Sequence, residues 1–332
     1  MTSRMTAFII AAVVCSILLT GCSESAIQPS SALPEEATDG LTVMTPSAGT
    51  IDTYPAFNSD FVATRRISVW LPEQYHSLKA QNQRFAVLYM HDGQMLFDAK
   101  VTWNKQEWGV DEIAQNLIDT DELIPFIVVG IDNGGNDLRY VEYMPQKPFA
   151  MLPESIQSQI YARQEHSYKV QSDAYLRFIV KELKPFIDKH YATLVERNHT
   201  FVAGASMGGL ISWYAVAEYP DVFGGCLCFS THFPGGYDVQ DFTVFNTFST
   251  YMANHLPING SHRLWFAYGD QTLDQYYPPF HKALQEQFTK WGADPDWVSI
   301  QFFAGDDHSE TSWQKQFPLA LPQILASKPN DN

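Results

Sequence analysis

Residues 201–220, FVAGASMGGLISWYAVAEYP, contain Gly204-Ala205-Ser206-Met207-Gly208, a serine with a glycine two positions to either side. A β-rich run leads into this pentad, and an apolar stretch of helical character follows until Pro220 stops it. G-x-S-x-G is a weak pattern by itself, and its plain alternative is a glycine-rich helix start with an ordinary capping serine. Between a buried strand and a helix it reads as a nucleophile elbow. The serine must occupy a strained turn so that its hydroxyl projects above the sheet, and glycines at −2 and +2 remove Cβ atoms that would collide there. The helix that follows aims its first N–H groups, beginning with Met207, at a developing oxyanion. The implied chemistry is attack of an activated hydroxyl on a carbonyl carbon, which needs a base and an orienting carboxylate.

Residues 297–303 read as a late strand leading into Ala304-Gly305-Asp306-Asp307-His308-Ser309-Glu310. His308 therefore lies on a loop just past the last strand, where a base belongs. The other histidines fit less well: His262 precedes a strand, His281 is mid-helix and His190 lies on a long helix. The acid should follow the preceding strand, where Gly269-Asp270-Gln271-Thr272-Leu273-Asp274 offers Asp270 and Asp274. Spacing alone does not choose between them. A second oxyanion donor is expected after the buried run VLYM, in His91-Asp92-Gly93-Gln94. Gly93 lets the backbone turn close to a substrate, and the N–H of Gln94 pairs with that of Met207. His91 and Asp92 lack a third ligand at helical or ribbon spacing, so neither a metal nor another cofactor is expected.

These residues need a scaffold. Strands are expected at 66–71, 85–91, 126–132, 200–205, 223–229, 263–268 and 297–303, several of them apolar on both faces, as in FIVVGI. That pattern belongs to a mostly parallel central sheet with helices on both faces, an α/β fold. In 172–191, Tyr175, Phe178, Ile179, Leu183, Phe186 and Ile187 form one helical stripe, with Ser172 or Asp173 as cap and a kink expected at Pro185. Residues 144–171 are polar and Gln-rich, and read as a small lid or cap insertion. Cys226 and Cys228, at i and i+2 on one strand, read as two buried thiols.

The chain has 332 residues, with 21 Lys+Arg against 37 Asp+Glu and a net charge of −16. It is hydrophobic enough (45%) for a sizeable core, and its acidity without basic runs argues against nucleic-acid binding. Arg4 precedes the apolar run AFIIAAVVCSILL, which ends in Leu19-Thr20-Gly21-Cys22. The run has the proportions of a signal-peptide core, and the tetrad resembles the lipobox of bacterial lipoproteins. That resemblance implies a signal peptide at 1–21, acylation of Cys22, and a membrane partner reached through the lipid anchor. Ser23, with no Asp after the cysteine, points to the outer membrane of a bacterial envelope. Residues 22–50, rich in Ser, Pro and Ala, are expected to be a flexible tether, and 51–328 the catalytic domain.

The motifs RRISVWLPEQY, FAVLYMHDGQMLFD, Arg139 with Glu142-Tyr143, GASMGGL and GDDHSETSW occur in that order. Together they resemble the esterase D family of α/β-hydrolases, which includes enterochelin esterases and feruloyl and acetyl-xylan esterase domains. The resemblance implies Ser206 as nucleophile, His308 as base, and oxyanion donors at Met207 and the Gly93–Gln94 turn. Related members carry a G-T-E-T-L-D loop, matched here at Gly269, Thr272, Leu273 and Asp274, which favours Asp274. Trp103, Trp108, His232 and Arg139 are expected to line a pocket for the substrate, a small-molecule or glycan ester. The leading expectation is a serine esterase acting through an acyl-enzyme on acylated carbohydrate, phenolic or siderophore esters. Acyl transfer to a sugar or alcohol, and a catalytically silent binding lipoprotein, are the alternatives.

Overall fold

The protein is described by a computed structural model covering residues 43–121, 123–162, 168–236, 240–256, 262–294 and 296–326, without the side chains of 136 and 137. The signal segment, Cys22 and most of the expected tether lie outside the described residues.

Eight strands form one sheet in the order β1-β2-β4-β3-β5-β6-β7-β8. They are β1 (Thr50–Phe57), β2 (Arg65–Leu71), β3 (Ala86–His91), β4 (Phe126–Ile131), β5 (Thr200–Ala205), β6 (Gly225–Phe229), β7 (Arg263–Tyr268) and β8 (Val298–Phe302). β1, β2 and β4 pair antiparallel, and every other neighbour is parallel. The central strands are buried at every position because helices cover both faces. Val87 and Tyr89 of β3 belong to the core on one face of the sheet, with helices Met207–Glu218 and Pro278–Trp291, while Leu88 and Met90 belong to the core on the other, with Val110–Asp119 and Glu310–Ala320. β4 lies on one side of β3 and β5 on the other, so the chain reverses direction across the sheet at β3. A crevice at the carboxyl ends of such neighbouring strands is where ligands bind in open α/β sheets. The turns after β3 and β5 meet there.

The structure changes four expectations. β1 is an additional strand, half-exposed at the sheet edge, with a register shift between Tyr54 and Phe57 that accommodates Pro55. The tether does not extend to residue 50. Met44 is buried, Thr45 N donates to Asp98 (3.0 Å), and Ser47 N and Ala48 N donate to Asp111 (2.6 and 3.2 Å). Two acidic side chains thus satisfy a backbone that the composition marks as loose. In the long helix, the irregularity expected at Pro185 is a π-turn at Ile179–Leu183 that links Ser172–Phe178 to Lys184–His190, and Pro185 sits in the first turn of the latter. Nor do Ser172 and Asp173 cap it. Ser172 Oγ accepts from Gln146 N (2.8 Å) and Asp173 from Tyr214 (2.7 Å).

The 144–171 insertion contains helices Gln146–Ala150 and Glu154–Tyr161, docked through buried Phe149, Leu152 and Ile160. Cys226 and Cys228 are free, buried thiols with sulfurs 3.4 Å apart.

Candidate active site

β5 runs into Ser206, whose backbone adopts φ +58°, ψ −120°, and the helix Met207–Glu218 begins at the next residue. A non-glycine residue in this region costs roughly 1–3 kcal/mol and persists only where surrounding bonds enforce it. Here Ser206 N donates to Phe229 O (2.9 Å), while Ser206 O accepts from His232 N (3.1 Å) and Leu210 N (3.2 Å). A Cβ at Gly204 would lie 2.8 Å from the backbone of Gly208, and one at Gly209 would lie 2.8 Å from Thr231 Oγ1. At Gly208 the nearest atoms would be at an ordinary 3.5 Å. The steric demand thus falls on Gly204 and Gly209, not on Gly208 as the motif suggests.

His308 Nδ1 lies 2.6 Å from Asp274 Oδ1. A carboxylate accepts only, so Nδ1 carries the proton and Nε2 is left as the base. Asp274 is fully buried, and its Oδ2 accepts from Ser230 Oγ (2.6 Å) and Gly269 N (2.8 Å). His308 is further fixed by its own N–H, which donates to Thr272 Oγ1 (2.9 Å). Asp270 does something else. Its exposed carboxylate accepts from Gly305 N (2.9 Å) and Gln271 Nε2 (2.8 Å), and these bonds hold it below the usual carboxylate range. Asp270 N and Gln271 N both donate to Asp306 O (3.0 Å each). A Cβ at Gly269 would come within 2.0 Å of that oxygen. Asp270 therefore ties the loop after β7 to the loop after β8, and Asp274 is the carboxylate that meets the histidine.

The serine and the Asp274–His308 pair hang from one short segment. Phe229 O and His232 N bracket Ser206, and Ser230 between them holds Asp274. No hydrogen bond joins Ser206 Oγ to His308. Such contacts are commonly long without substrate and tighten when it binds.

The turn after β3 starts with Asp92 in the left-handed region (φ +56°), followed by a single 3-10 turn, Gly93–Met95. Asp92 N donates to Tyr143 OH (3.3 Å), and its carboxylate takes both arms of Arg139 (2.7 and 2.8 Å) and Asn133 Nδ2 (2.7 Å). Burial disfavours the Asp92 charge, but Arg139 and Asn133 outweigh it and hold the carboxyl below its ordinary range. Gln94 Oε1 accepts from Asn133 N (3.2 Å). A Cβ at Gly93 would lie 2.6 Å from the backbone of Gly130. The Gly93–Gln94 turn is thus clamped against β4, and His91 and Asp92, just before it, lie 3.5 Å from where a Cβ on Gly208 would stand at the helix start.

The expected pocket residues divide. Arg139 is engaged by Asp92 and positions this turn, so it is not a free substrate contact. Trp108 is only 3% exposed and packs against Phe229, Trp313 and Phe317, so it lies in the core. His232 has both ring nitrogens occupied, by Tyr277 OH (2.7 Å) and Gly236 O (2.9 Å), and burial lowers its pKa to about 4. Trp103 alone is open, at 83% exposed. Its neighbour Asn104 donates to Glu310 (2.8 Å), two residues beyond His308. His91 is buried and bonds Tyr175 OH (2.8 Å) through Nδ1, and desolvation lowers its pKa to about 3. Among the described residues no group of three or more His, Cys, Asp or Glu could hold a metal. Ser230 and Trp313 were not singled out by role from sequence. The only signal for Ser230 is its place one residue past the end of β6.

Comparison with known proteins places this geometry in context. Residues 61–324 match the family described as Putative esterase. The uncharacterized protein YbbA of Bacillus subtilis is 26% identical over 160 residues, which is 48% of this chain and 54% of that protein, so the match spans about half of the relative. The enterobactin esterase of Shigella flexneri, solved in the presence of enterobactin, superposes with a TM-score of 0.61 at 17% identity, over 85% of this chain and 60% of that one. A ferulic acid esterase of Anaeromyces mucronatus, in complex with ferulic acid, gives 0.57 at 15% identity, over 90% and 98%. With most of the chain inside the matched segment, the protein belongs to the Putative esterase family.

Proposed function

We propose that this chain is a serine esterase acting through an acyl-enzyme. Ser206 attacks the ester carbonyl while His308 Nε2 takes its proton, and the same histidine then protonates the leaving alcohol. Asp274 holds the imidazole tautomer and stabilises the imidazolium. The N–H groups of Met207 and Gln94 receive the oxyanion, with Gly93 allowing the close backbone approach. Water, activated by His308, releases the acid and regenerates the serine. The observation that carries this reading is the 2.6 Å His308–Asp274 bond, suspended from the same 229–232 segment that brackets the strained Ser206.

The substrate we infer is an ester with an aromatic or sugar ring: a phenolic ester, an acylated carbohydrate or a siderophore ester. Exposed Trp103 at the rim supports this, since an indole face stacks on either ring, and the neighbours crystallised with enterobactin and ferulic acid are consistent with it. We further propose that Cys22 carries the lipid that anchors the enzyme in a bacterial cell envelope, at the outer membrane. A fluorophosphonate probe should label the wild-type protein and not Ser206→Ala, and labelling of both would reject the nucleophile. Parallel assays on feruloyl esters, acetylated xylan and a catechol siderophore, with and without an added alcohol, identify the acyl group and separate hydrolysis from transfer.

A further inference from the structure

Ser230 is fully buried, yet its backbone sits at φ +41°, where glycine is favoured. A strained residue that persists in a core points to a side chain with a task. Its hydroxyl donates to Asp274 Oδ2 (2.6 Å) and accepts from Trp313 Nε1 (2.9 Å). Trp313 in turn sets its ring against His308, with centroids 5.2 Å apart and planes at 82°. The four side chains close a loop: Trp313 to Ser230, Ser230 to Asp274, Asp274 to His308, and His308 back against Trp313.

We propose that Ser230, oriented by Trp313, is a positioning residue for the acid–base pair. This rests on the triad reading above. The indole N–H can only donate, so it occupies a lone pair of the Ser230 oxygen and directs the hydroxyl proton at Asp274. With Gly269 N on the same oxygen, the carboxylate cannot rotate, and Oδ1 stays aimed at Nδ1. The benefit falls in the transition state, when the imidazole becomes a cation and Asp274 must face it as an anion. Glycine at 230 would suit the backbone better and lose this contact.

Ser230→Gly removes the hydroxyl while relieving the backbone, and that relief offsets part of the cost of leaving Trp313 Nε1 unpaired. A hydrogen bond to a charged group is worth about 1.5–3 kcal/mol, so kcat should fall on the order of ten- to a hundredfold with KM unchanged. The low-field proton resonance of the His308–Asp274 bond should shift or broaden. Trp313→Phe keeps a ring beside His308 but removes the N–H. It should act in the same direction, and the double variant should be no worse than Ser230→Gly alone. Retention of kcat within about twofold, or a fall in kcat with the low-field proton unmoved, overturns the proposal. If the glycine variant does not fold, Trp313→Phe carries the test with the same two outcomes. Asp274→Asn run in parallel separates the levels: if it is inactive and Ser230→Gly is not, only this proposal fails, whereas if it too is active, the triad reading fails.

Discussion

Asp274→Asn tests the site most sharply, because the structure fixes which way the new amide must face. Asp274 Oδ2 receives two donors, Ser230 Oγ and Gly269 N, and Oδ1 receives His308 Nδ1. An asparagine keeps its oxygen on the two-donor side, since an NH2 there would oppose the Gly269 N–H. The NH2 then faces His308, which must present a lone pair at Nδ1 and carry its proton on Nε2. In that tautomer the ring cannot accept the Ser206 proton. A swapped tautomer in a serine triad lowers kcat about 10⁴-fold, with geometry intact. The expectation is a loss of that order on a short p-nitrophenyl ester, with KM little changed, a matching fall in the rate of fluorophosphonate labelling, and a native circular dichroism spectrum. Asp270→Asn keeps an acceptor for Gly305 N and should stay within about twofold of wild type. Activity of Asp274→Asn within about tenfold of wild type, or an equal loss in Asp270→Asn, refutes the assignment.

Arg139→Met leaves Asp92 without its bidentate partner beside the proposed oxyanion donors, so kcat should fall about 10–1,000-fold and thermal stability should drop. Recovery of stability but not of kcat in the Arg139→Met/Asp92→Asn double variant would support this, and unchanged kcat in the single variant would contradict it. Gly269→Ala drives a Cβ against Asp306 O and should displace the His308 loop, read as lost kcat and lost esterase labelling. Gly292→Ala, in open space at φ +69°, should leave kinetics unchanged and cost only stability. His91 is neutral when folded, with its pKa depressed to about 3 against an ordinary value near 6.5. Below pH 6.5 the unfolded chain takes up a proton that the folded one refuses, so stability is lost as pH falls toward 3, by up to about 1.4 kcal/mol per pH unit. Urea midpoints measured from pH 7 to pH 4 should therefore fall less steeply for His91→Gln, and parallel curves would contradict this.

Much of the scaffold can be read from the chain because buried parallel strands are apolar on both faces. VLYM, FIVVGI and FVAGA stand out for that reason, and the sheet places them at its centre. β1 escapes because Thr50–Phe57 is half-exposed, polar at alternate positions and interrupted by Pro55. Residues 44–48 escape because their stability comes from Asp98 and Asp111, carboxylates more than fifty positions away. The nucleophile is legible because its turn demands glycine at fixed offsets. The acid is not, since Asp270 and Asp274 leave the same strand, and only the turn Thr272–Tyr276 carries the second inward beneath His308. The pocket was least legible. Trp103 and Trp108 are five residues apart in one loop, one in solvent and the other in the core, and no periodicity in 98–109 distinguishes them.

Backbone strain accounts for what remained hidden. Among the described residues, seven non-glycines have positive φ: Asn82, Asp92, Lys105, Asp121, Ser206, Ser230 and Thr272. Four of these stand at the site, and each performs one operation there. Asp92 turns the chain into the Gly93–Gln94 segment, Ser206 presents a hydroxyl, Ser230 supports Asp274, and Thr272 receives the His308 N–H. Only at Ser206 does the sequence announce the conformation, through its glycines. Aspartate, serine and threonine elsewhere look like ordinary turn residues, since nothing in their type records the sign of φ. At about 1–3 kcal/mol each, the four left-handed residues represent a cost comparable to much of a domain's net stability. A chain selected for stability alone would place glycine at these positions. The side chains of Asp92, Ser230 and Thr272 each bond a specific partner, and that of Ser206 is the proposed nucleophile; these tasks are the reason the strained conformations are kept.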